Sequence, residues 1–204
     1  MPEPDSPVLE LSLSCARRGD EPSLGAIDLK VGTAETVALT GPSGVGKTTL
    51  LRLLAGLDQD YDGRCTVPGK IGMVFQEPVL LPWRTAARNL TLTCGNDAAE
   101  ADPALESVGL GGMGNHFPGQ MSLGQQRRLA LARAFASGAR LLLMDEPFVS
   151  LDPKTADGVM AVYERLRDRH RVSTVLVTHD TGEATRLADR VLRLDGRPAR
   201  LVSS

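Results

Sequence analysis

Apolar and polar positions alternate from Val8 to Ser14, with Leu9, Leu11 and Leu13 on one face and Glu10 and Ser12 on the other. That period predicts a half-buried strand. Ala26 to Val31 alternates in the same way before Gly32 and predicts a meander at the start of the chain. Glu35 to Thr40 is a short apolar run that stops in a Gly-rich turn; Thr48 to Leu57 then reads as a helix closed by Gly56 and Asp58. Ile71–Phe75, Leu141–Met144 and Thr174–Val177 are further short runs, apolar on both faces, as strands of a doubly covered sheet require. Helical patterns fall at Thr85–Thr93, Leu123–Ala136, Lys154–Arg169 and Thr181–Ala188, and Val191–Leu194 before Asp195-Gly196-Arg197-Pro198 reads as a late strand and turn. Strands alternating with helices predict an α/β domain with a mainly parallel sheet. Residues 77–136 break the rhythm with helical pieces and no strand, so they are expected to form a helical lobe inserted into a core of about 1–76 and 137–204. Residues 2–7 are Pro-rich and acidic and read as a frayed end; the strand region near Arg64 to Lys70 is expected to be trimmed.

Composition narrows the function classes. The 204 residues carry 23 basic and 25 acidic side chains, a net charge of −2, which argues against a general nucleic-acid binder. Apolar residues make up 42%, yet no stretch has the length of a membrane span, and the Met1-Pro2-Glu3-Pro4-Asp5 start lacks the pattern of a secretory signal. Cys15, Cys65 and Cys94 are scattered without a CxxC pair, which disfavours a disulfide framework or zinc site and fits a soluble domain in a reducing cytosol. His116 and His170 have no ligand spacing and are read as surface residues.

The strongest chemical signal is Gly41-Pro42-Ser43-Gly44-Val45-Gly46-Lys47-Thr48, with Thr49 following, placed between an apolar strand and a helix. Glycines let backbone N–H groups close around phosphate oxygens, Lys47 brings a positive charge to the β- and γ-phosphates, and Thr48 offers a hydroxyl to Mg²⁺. These residues predict binding of a nucleoside triphosphate. Leu141 to Met144 then leads into Asp145 and Glu146, which places two carboxylates at the ligand-binding edge of a parallel sheet. Asp145 is the candidate metal ligand and Glu146 the candidate general base.

Further segments in a fixed order give a resemblance to the ATP-binding cassette (ABC) ATPases that spans nearly the whole chain. Phe75-Gln76-Glu77 resembles the Q-loop and Ser122-Leu123-Gly124-Gln125 the signature segment. Leu141–Pro147 resembles the Walker B strand, Ser150-Leu151-Asp152 the D-loop and Thr178-His179-Asp180 the switch-histidine segment. Ser122 also reads as a helix N-cap, with Gln125 completing a capping box. The resemblance implies a P-loop NTPase core with an N-terminal antiparallel β subdomain and an inserted helical lobe. It implies hydrolysis of ATP with Mg²⁺, with Glu146, His179 and Gln76 catalytic and Thr48, Gln76 and Asp145 around the metal. It also implies a dimer with a second copy or a homologous cassette, in which Ser122, Leu123, Gly124 and Gln125 meet the nucleotide in trans.

Pro78, Leu80, Leu81 and Trp83 follow the Q-loop, where the family receives a membrane-embedded permease. The wording Gln76-Glu77-Pro78 through Leu80-Leu81-Pro82-Trp83 is most similar to importers of the nitrate, sulfonate and taurine group. The implied function is therefore an ATPase subunit, peripheral on the cytoplasmic face of a bacterial inner membrane. It energises import of a small solute delivered by a periplasmic binding protein. A membrane-associated coupler without transport would share every motif; a soluble cassette serving DNA repair or translation is less well matched, since no basic surface or coiled-coil insertion is visible.

The chain departs from the family pattern in three places. Leu123 stands where the family has glycine, and trans binding is expected to survive if that side chain points outward and the backbone there needs no positive φ. Ser14–Gly19 contains no aromatic residue to stack on adenine, leaving Arg17 or Arg18 as candidates and predicting weaker discrimination between ATP and GTP. Little follows the last predicted strand, so no C-terminal regulatory domain is expected.

Overall fold

The computed structural model describes residues 7–19, 21–92 and 101–202, without the Arg18 side chain. Among the described residues ten strands form one sheet in the order β3-β1-β2-β10-β9-β4-β8-β7-β6, with β5 paired to β1 off that path. The strands are β1 (Leu9–Arg18), β2 (Glu21–Leu24), β3 (Ile27–Val31), β4 (Thr36–Thr40), β5 (Tyr61–Thr66), β6 (Ile71–Val74), β7 (Leu141–Asp145), β8 (Ser173–Val177), β9 (Arg190–Gly196) and β10 (Ala199–Val202). The helices are α1 (Lys47–Leu54), α2 (Ala86–Thr91), α3 (Ala101–Ser107), α4 (Leu123–Ala136), α5 (Pro153–His170) and α6 (Thr181–Leu187).

Two strand regimes follow from two burial patterns. β1 alternates apolar and polar residues and pairs antiparallel with β3, from Leu9 opposite Val31 to Leu13 opposite Ile27. It also pairs antiparallel with β5, Leu11 lying opposite Cys65, and with β2 after a shift in register between Ala16 and Arg17. The continuous apolar runs β7 and β8 are buried along their whole length, and β4, β7, β8 and β9 align in parallel. This is the mixed α/β sheet with a mainly parallel core and an antiparallel N-terminal part that the patterning implied.

Three strands depart from the reading of the sequence. β2, β5 and β10 expose half or more of their residues and are short, so pairing with a neighbour, rather than their own composition, makes them strands. The stretch expected to be trimmed, from Arg64, begins inside β5. The helix expected at Thr85–Thr93 runs over Ala86–Thr91 with Thr85 as its N-cap; Thr93, Cys94 and Asp20 lie outside the described residues.

The chain divides into two compact units. The first takes residues up to 73, 140–146 and 171 onward; the second takes 74–139 and 147–170, so α5 groups with the helical segments. The first unit is built on a continuous apolar core that includes Leu9, Leu11, Leu29, Leu39, Leu50, Leu51, Leu141, Leu143, Val175 and Val177, and α1 packs against β7 and β8 there. In the second unit α4 packs on α5, where Phe135 and Tyr163 rings lie 6.4 Å apart.

Candidate functional site

In the first unit, β4 ends at Thr40 and the chain turns through Gly41–Gly46 into α1. Two of these glycines are there for space as well as dihedral freedom. Gly41 has φ 142°, and a side chain on it would overlap the Leu194 carbonyl; Gly46, the N-cap of α1 at φ 116°, would place a β-carbon 2.7 Å from Leu24 Cδ2. Gly46 offers no capping side chain, so the first turn of α1 keeps unpaired N–H donors and a positive dipole end facing the loop. Lys47 is buried, with 5% of its surface exposed, and its ammonium donates to the carbonyls of Gly41 (2.8 Å) and Pro42 (3.0 Å). The cation thus sits inside the loop it is expected to serve. Ser43, Gly44, Val45 and Thr49 complete this loop and helix start.

The Thr48 hydroxyl donates to Asp145 Oδ1 at 3.3 Å, joining α1 to the end of β7. Burial, and secondarily the Glu146 charge, raise the Asp145 pKa above its ordinary value; the Thr48 hydrogen bond and Lys47 oppose the rise. A hard carboxylate oxygen and a hydroxyl oxygen side by side, in a place that penalises uncompensated negative charge, suit Mg²⁺. Among the described residues no group of three or more His, Cys, Asp and Glu forms a self-sufficient metal site, so any cation here would need further oxygens from a ligand.

Glu146 leaves the strand direction at φ 44°, a left-handed conformation that costs a non-glycine residue about 1–3 kcal/mol. Its N–H still bonds Val177 O at 2.9 Å, and its Oε2 lies 3.2 Å from His179 Nδ1. The strained turn brings the carboxylate to the histidine instead of along β7. His179 is held by its neighbours: the Asp180 side chain caps α6 through the N–H groups of Gly182 and Glu183, and the Thr178 hydroxyl donates to Glu183. Glu183, which sequence reasoning missed, has its pKa raised mainly by burial.

The structure therefore brings together the glycine loop, Lys47, Thr48, Asp145, Glu146 and His179 in one unit. Gln76, the signature segment, the D-loop and the segment Pro78–Trp83 all belong to the second unit, where Gln76 is exposed just beyond β6.

In that unit Ser122 caps α4: its Oγ accepts from Gln125 N at 3.3 Å, and Gln125 Oε1 accepts from Ser122 N at 2.8 Å. Leu123 is the first residue of α4, is 38% exposed, and does not have positive φ, so it points outward from a helical backbone. Gly124 has a packing reason to be glycine, since a β-carbon there would overlap Thr155 Cγ2 on α5. Ser150 takes φ 64°, and Asp152 Oδ1 accepts from Thr155 N at 3.1 Å at the start of α5. Leu151 lies between them.

Val79 and Trp83 are the exposed apolar residues of the following segment, 55% and 70% exposed, while Pro78, Leu80 and Leu81 are half-buried. Fully buried Asn89 fixes this display: its Oδ1 accepts from Leu81 N, and its amide donates to the carbonyls of Leu81, Arg84 and Thr85. Arg133 donates to the carbonyls of Val79 and Pro78. A large side chain presented to solvent by a pinned turn is the form of a contact anchor.

Two cavities flank the start of α1 in the first unit. One, of about 370 Å³, is lined by Glu21–Ser23, Gly44–Gly46, Thr49, Arg197 and Pro198; the other, of about 610 Å³, by Arg17, Gly19, Thr48, Thr49, Arg52 and Leu57–Asp60. None of the described residues lining them is aromatic.

Residues 24–149 match the ABC transporter family. The chain is 46% identical over 181 residues to the aliphatic sulfonates import ATP-binding protein SsuB 2 of Rhodococcus jostii, covering 87% of this chain and 74% of that protein. It is 47% identical over 184 residues to the protein of the same name from Frankia alni, covering 88% and 74%. Among solved structures, a dimeric post-hydrolysis state of the ATP-binding cassette MJ0796 bound to ADP and Pi superposes with a TM-score of 0.81 at 29% identity, covering 96% of this chain and 97% of that one.

Proposed function

This chain belongs to the ABC transporter family as an ATP-hydrolysing cassette, and from that premise we propose how its residues drive import of a small solute. Lys47 exchanges its bonds to the Gly41 and Pro42 carbonyls for the β- and γ-phosphate oxygens, while the N–H groups of Gly44–Thr49 close around the phosphates. Thr48 and Asp145, already 3.3 Å apart, would hold Mg²⁺ when it arrives with ATP, and Gln76 is the further candidate ligand. Such an ion would supply positive charge to the phosphates, and the Asp145 carboxylate, which burial penalises when charged, would gain a counter-charge. Glu146 accepts a proton from the water whose oxygen bonds to the γ-phosphorus as the bond to the β–γ bridging oxygen breaks. His179, 3.2 Å away, orients that carboxylate and contacts the γ-phosphate. Ser122 and the N–H groups at Leu123 and Gly124 of a partner cassette supply further donors, Gln125 holds Ser122 in place through the capping box, and Ser150–Asp152 lines the same seam.

ATP then closes a cassette dimer and product release reopens it. The Pro78–Trp83 segment passes that movement to a permease at the cytoplasmic face of the membrane, and a periplasmic binding protein presents the solute. No helix among the described residues is long and apolar enough to cross a membrane. The relatives named above make aliphatic sulfonates the solute class to assay first. The single observation that carries this reading is the convergence of Lys47, Thr48, Asp145, Glu146 and His179 at the end of β4, β7 and β8. Calorimetric titration of Lys47→Ala with Mg-ATP tests it: affinity should fall more than a hundredfold, and an unchanged affinity would refute the loop assignment.

A further inference from the structure

Arg127 lies on the buried side of α4, only 4% exposed, on the helix that Ser122 caps. Its Nη1 donates to the Phe75 carbonyl at 3.1 Å and its Nη2 to the Val149 carbonyl at 3.2 Å. Phe75 directly precedes Gln76, and Val149 directly precedes Ser150, whose φ of 64° opens the D-loop turn. The buried Nε has no hydrogen-bond partner among the described residues. Burial lowers the Arg127 pKa while the Glu77 charge raises it. A guanidinium taken out of water without a buried carboxylate partner is a costly way to fill a helix interface, and an apolar side chain of similar size would fill it without that cost. Its distinctive property is the rigid planar fork, which sets the positions of two carbonyls relative to each other and to its own helix.

We propose that Arg127 is a positioning residue for hydrolysis, a single fork that locks the Q-loop, the D-loop and the signature helix into one body. The inference rests on the reading of Gln76 and Ser150–Asp152 as parts of the ATPase site. The glycine loop belongs to the other unit. Loss of the fork should therefore leave nucleotide binding intact and disorder the groups that act once nucleotide is bound. Lysine in its place keeps the charge but loses the fork.

The test uses the full chain, with Arg127→Met and Arg127→Lys, and Gln76→Ala alongside. Three quantities are read: affinity for a fluorescent ATP analogue, steady-state ATP turnover per folded molecule, and hydrogen–deuterium exchange across 75–77 and 149–152. Both Arg127 variants should bind the analogue within twofold of the parent. Both should turn over at least tenfold more slowly, with Arg127→Lys the less affected, and exchange should rise in both segments together. Parent-like turnover in either folded variant, or affinity and turnover falling by equal factors, would overturn the proposal. Unchanged exchange would overturn it too. If Arg127→Met does not fold, Arg127→Lys decides by the same criteria. Full turnover in Gln76→Ala would strike the reading of Gln76 instead, and the exchange measurement would still decide whether Arg127 holds both segments.

Discussion

Replacing Gly124 by alanine separates two reasons for a glycine in the signature segment: packing within the chain and approach to a nucleotide on a partner. A β-carbon at Gly124 would overlap Thr155 Cγ2, whereas the next nearest atom, Thr155 Cβ, is at 3.9 Å, an ordinary contact. The conflict is thus with one methyl group on the first turn of α5. Forcing a methyl into a packed interface costs about 1–3 kcal/mol. In a chain of this size each kcal/mol lowers the melting midpoint by about 2–4 °C. The remedy is specific: Thr155→Ser removes Cγ2 and keeps the hydroxyl that bonds Asp152. In the double variant the lost methyl contact is partly offset by the helix preference of alanine over glycine, which at this first-turn position is smaller than in a helix interior. Gly124→Ala/Thr155→Ser should therefore return to within about 1 kcal/mol of the parent, a coupling inside the range of about 0.5–3 kcal/mol seen for residues in contact. Denaturant unfolding followed by circular dichroism reads all four proteins. No loss of stability in Gly124→Ala, or no recovery in the double variant, would refute the packing argument. ATP turnover in the stable double variant then reports whether the added carbon also obstructs the trans nucleotide.

Asp145→Asn should raise the melting temperature of the nucleotide-free chain at pH 7 while abolishing ATP turnover. A carboxylate whose folded pKa lies above its unfolded one binds more protons when folded, so its contribution is favourable at low pH and lost as pH rises through the raised folded value. The parent's stability should accordingly gain less from neutralisation than that of Asp145→Asn across that window, and a lower melting point in the variant would contradict the reasoning. Trp83→Ala removes a side chain that is 70% exposed, so its melting midpoint should stay close to the parent's. Its affinity for the proposed permease partner should nevertheless fall by about 2 kcal/mol or more, as for a buried anchor, in a pull-down titration; undiminished binding would remove the segment from the proposed interface. With no aromatic residue among the described ones lining either cavity beside α1, GTP should support turnover comparable to ATP; an inert GTP would show that another feature selects the base.

Much of this molecule is written locally. β4, the glycine loop and α1 are legible because one motif fixes a strand end, a turn and a helix start together, and β7 and β8 are legible as fully buried apolar runs. The Ser122–Gln125 capping box could be read from spacing alone and is present. β2, β5 and β10 were not legible, because exposed short segments become strands only through the register of β1 and β9. The reasons behind particular side chains were less legible still. Gly124 against Thr155, Asn89 inside the turn that displays Trp83, and Arg127 between two carbonyls are contacts between residues far apart in sequence or hidden in a helix pattern. No periodicity announces them. A buried asparagine and a buried arginine become signals only when burial is known.

In the proposed cycle nucleotide is held between two copies of this chain, the Lys47 loop of one facing the Ser122 turn of the other. Sedimentation equilibrium of Glu146→Gln, which should bind ATP without turning it over, tests this most directly. With Mg-ATP the mass should move from the 21.7 kDa of one chain to twice that value, and adding Ser122→Arg in the same chain should return it to a single chain. A monomer at saturating Mg-ATP, or a dimer indifferent to Ser122→Arg, would contradict the account.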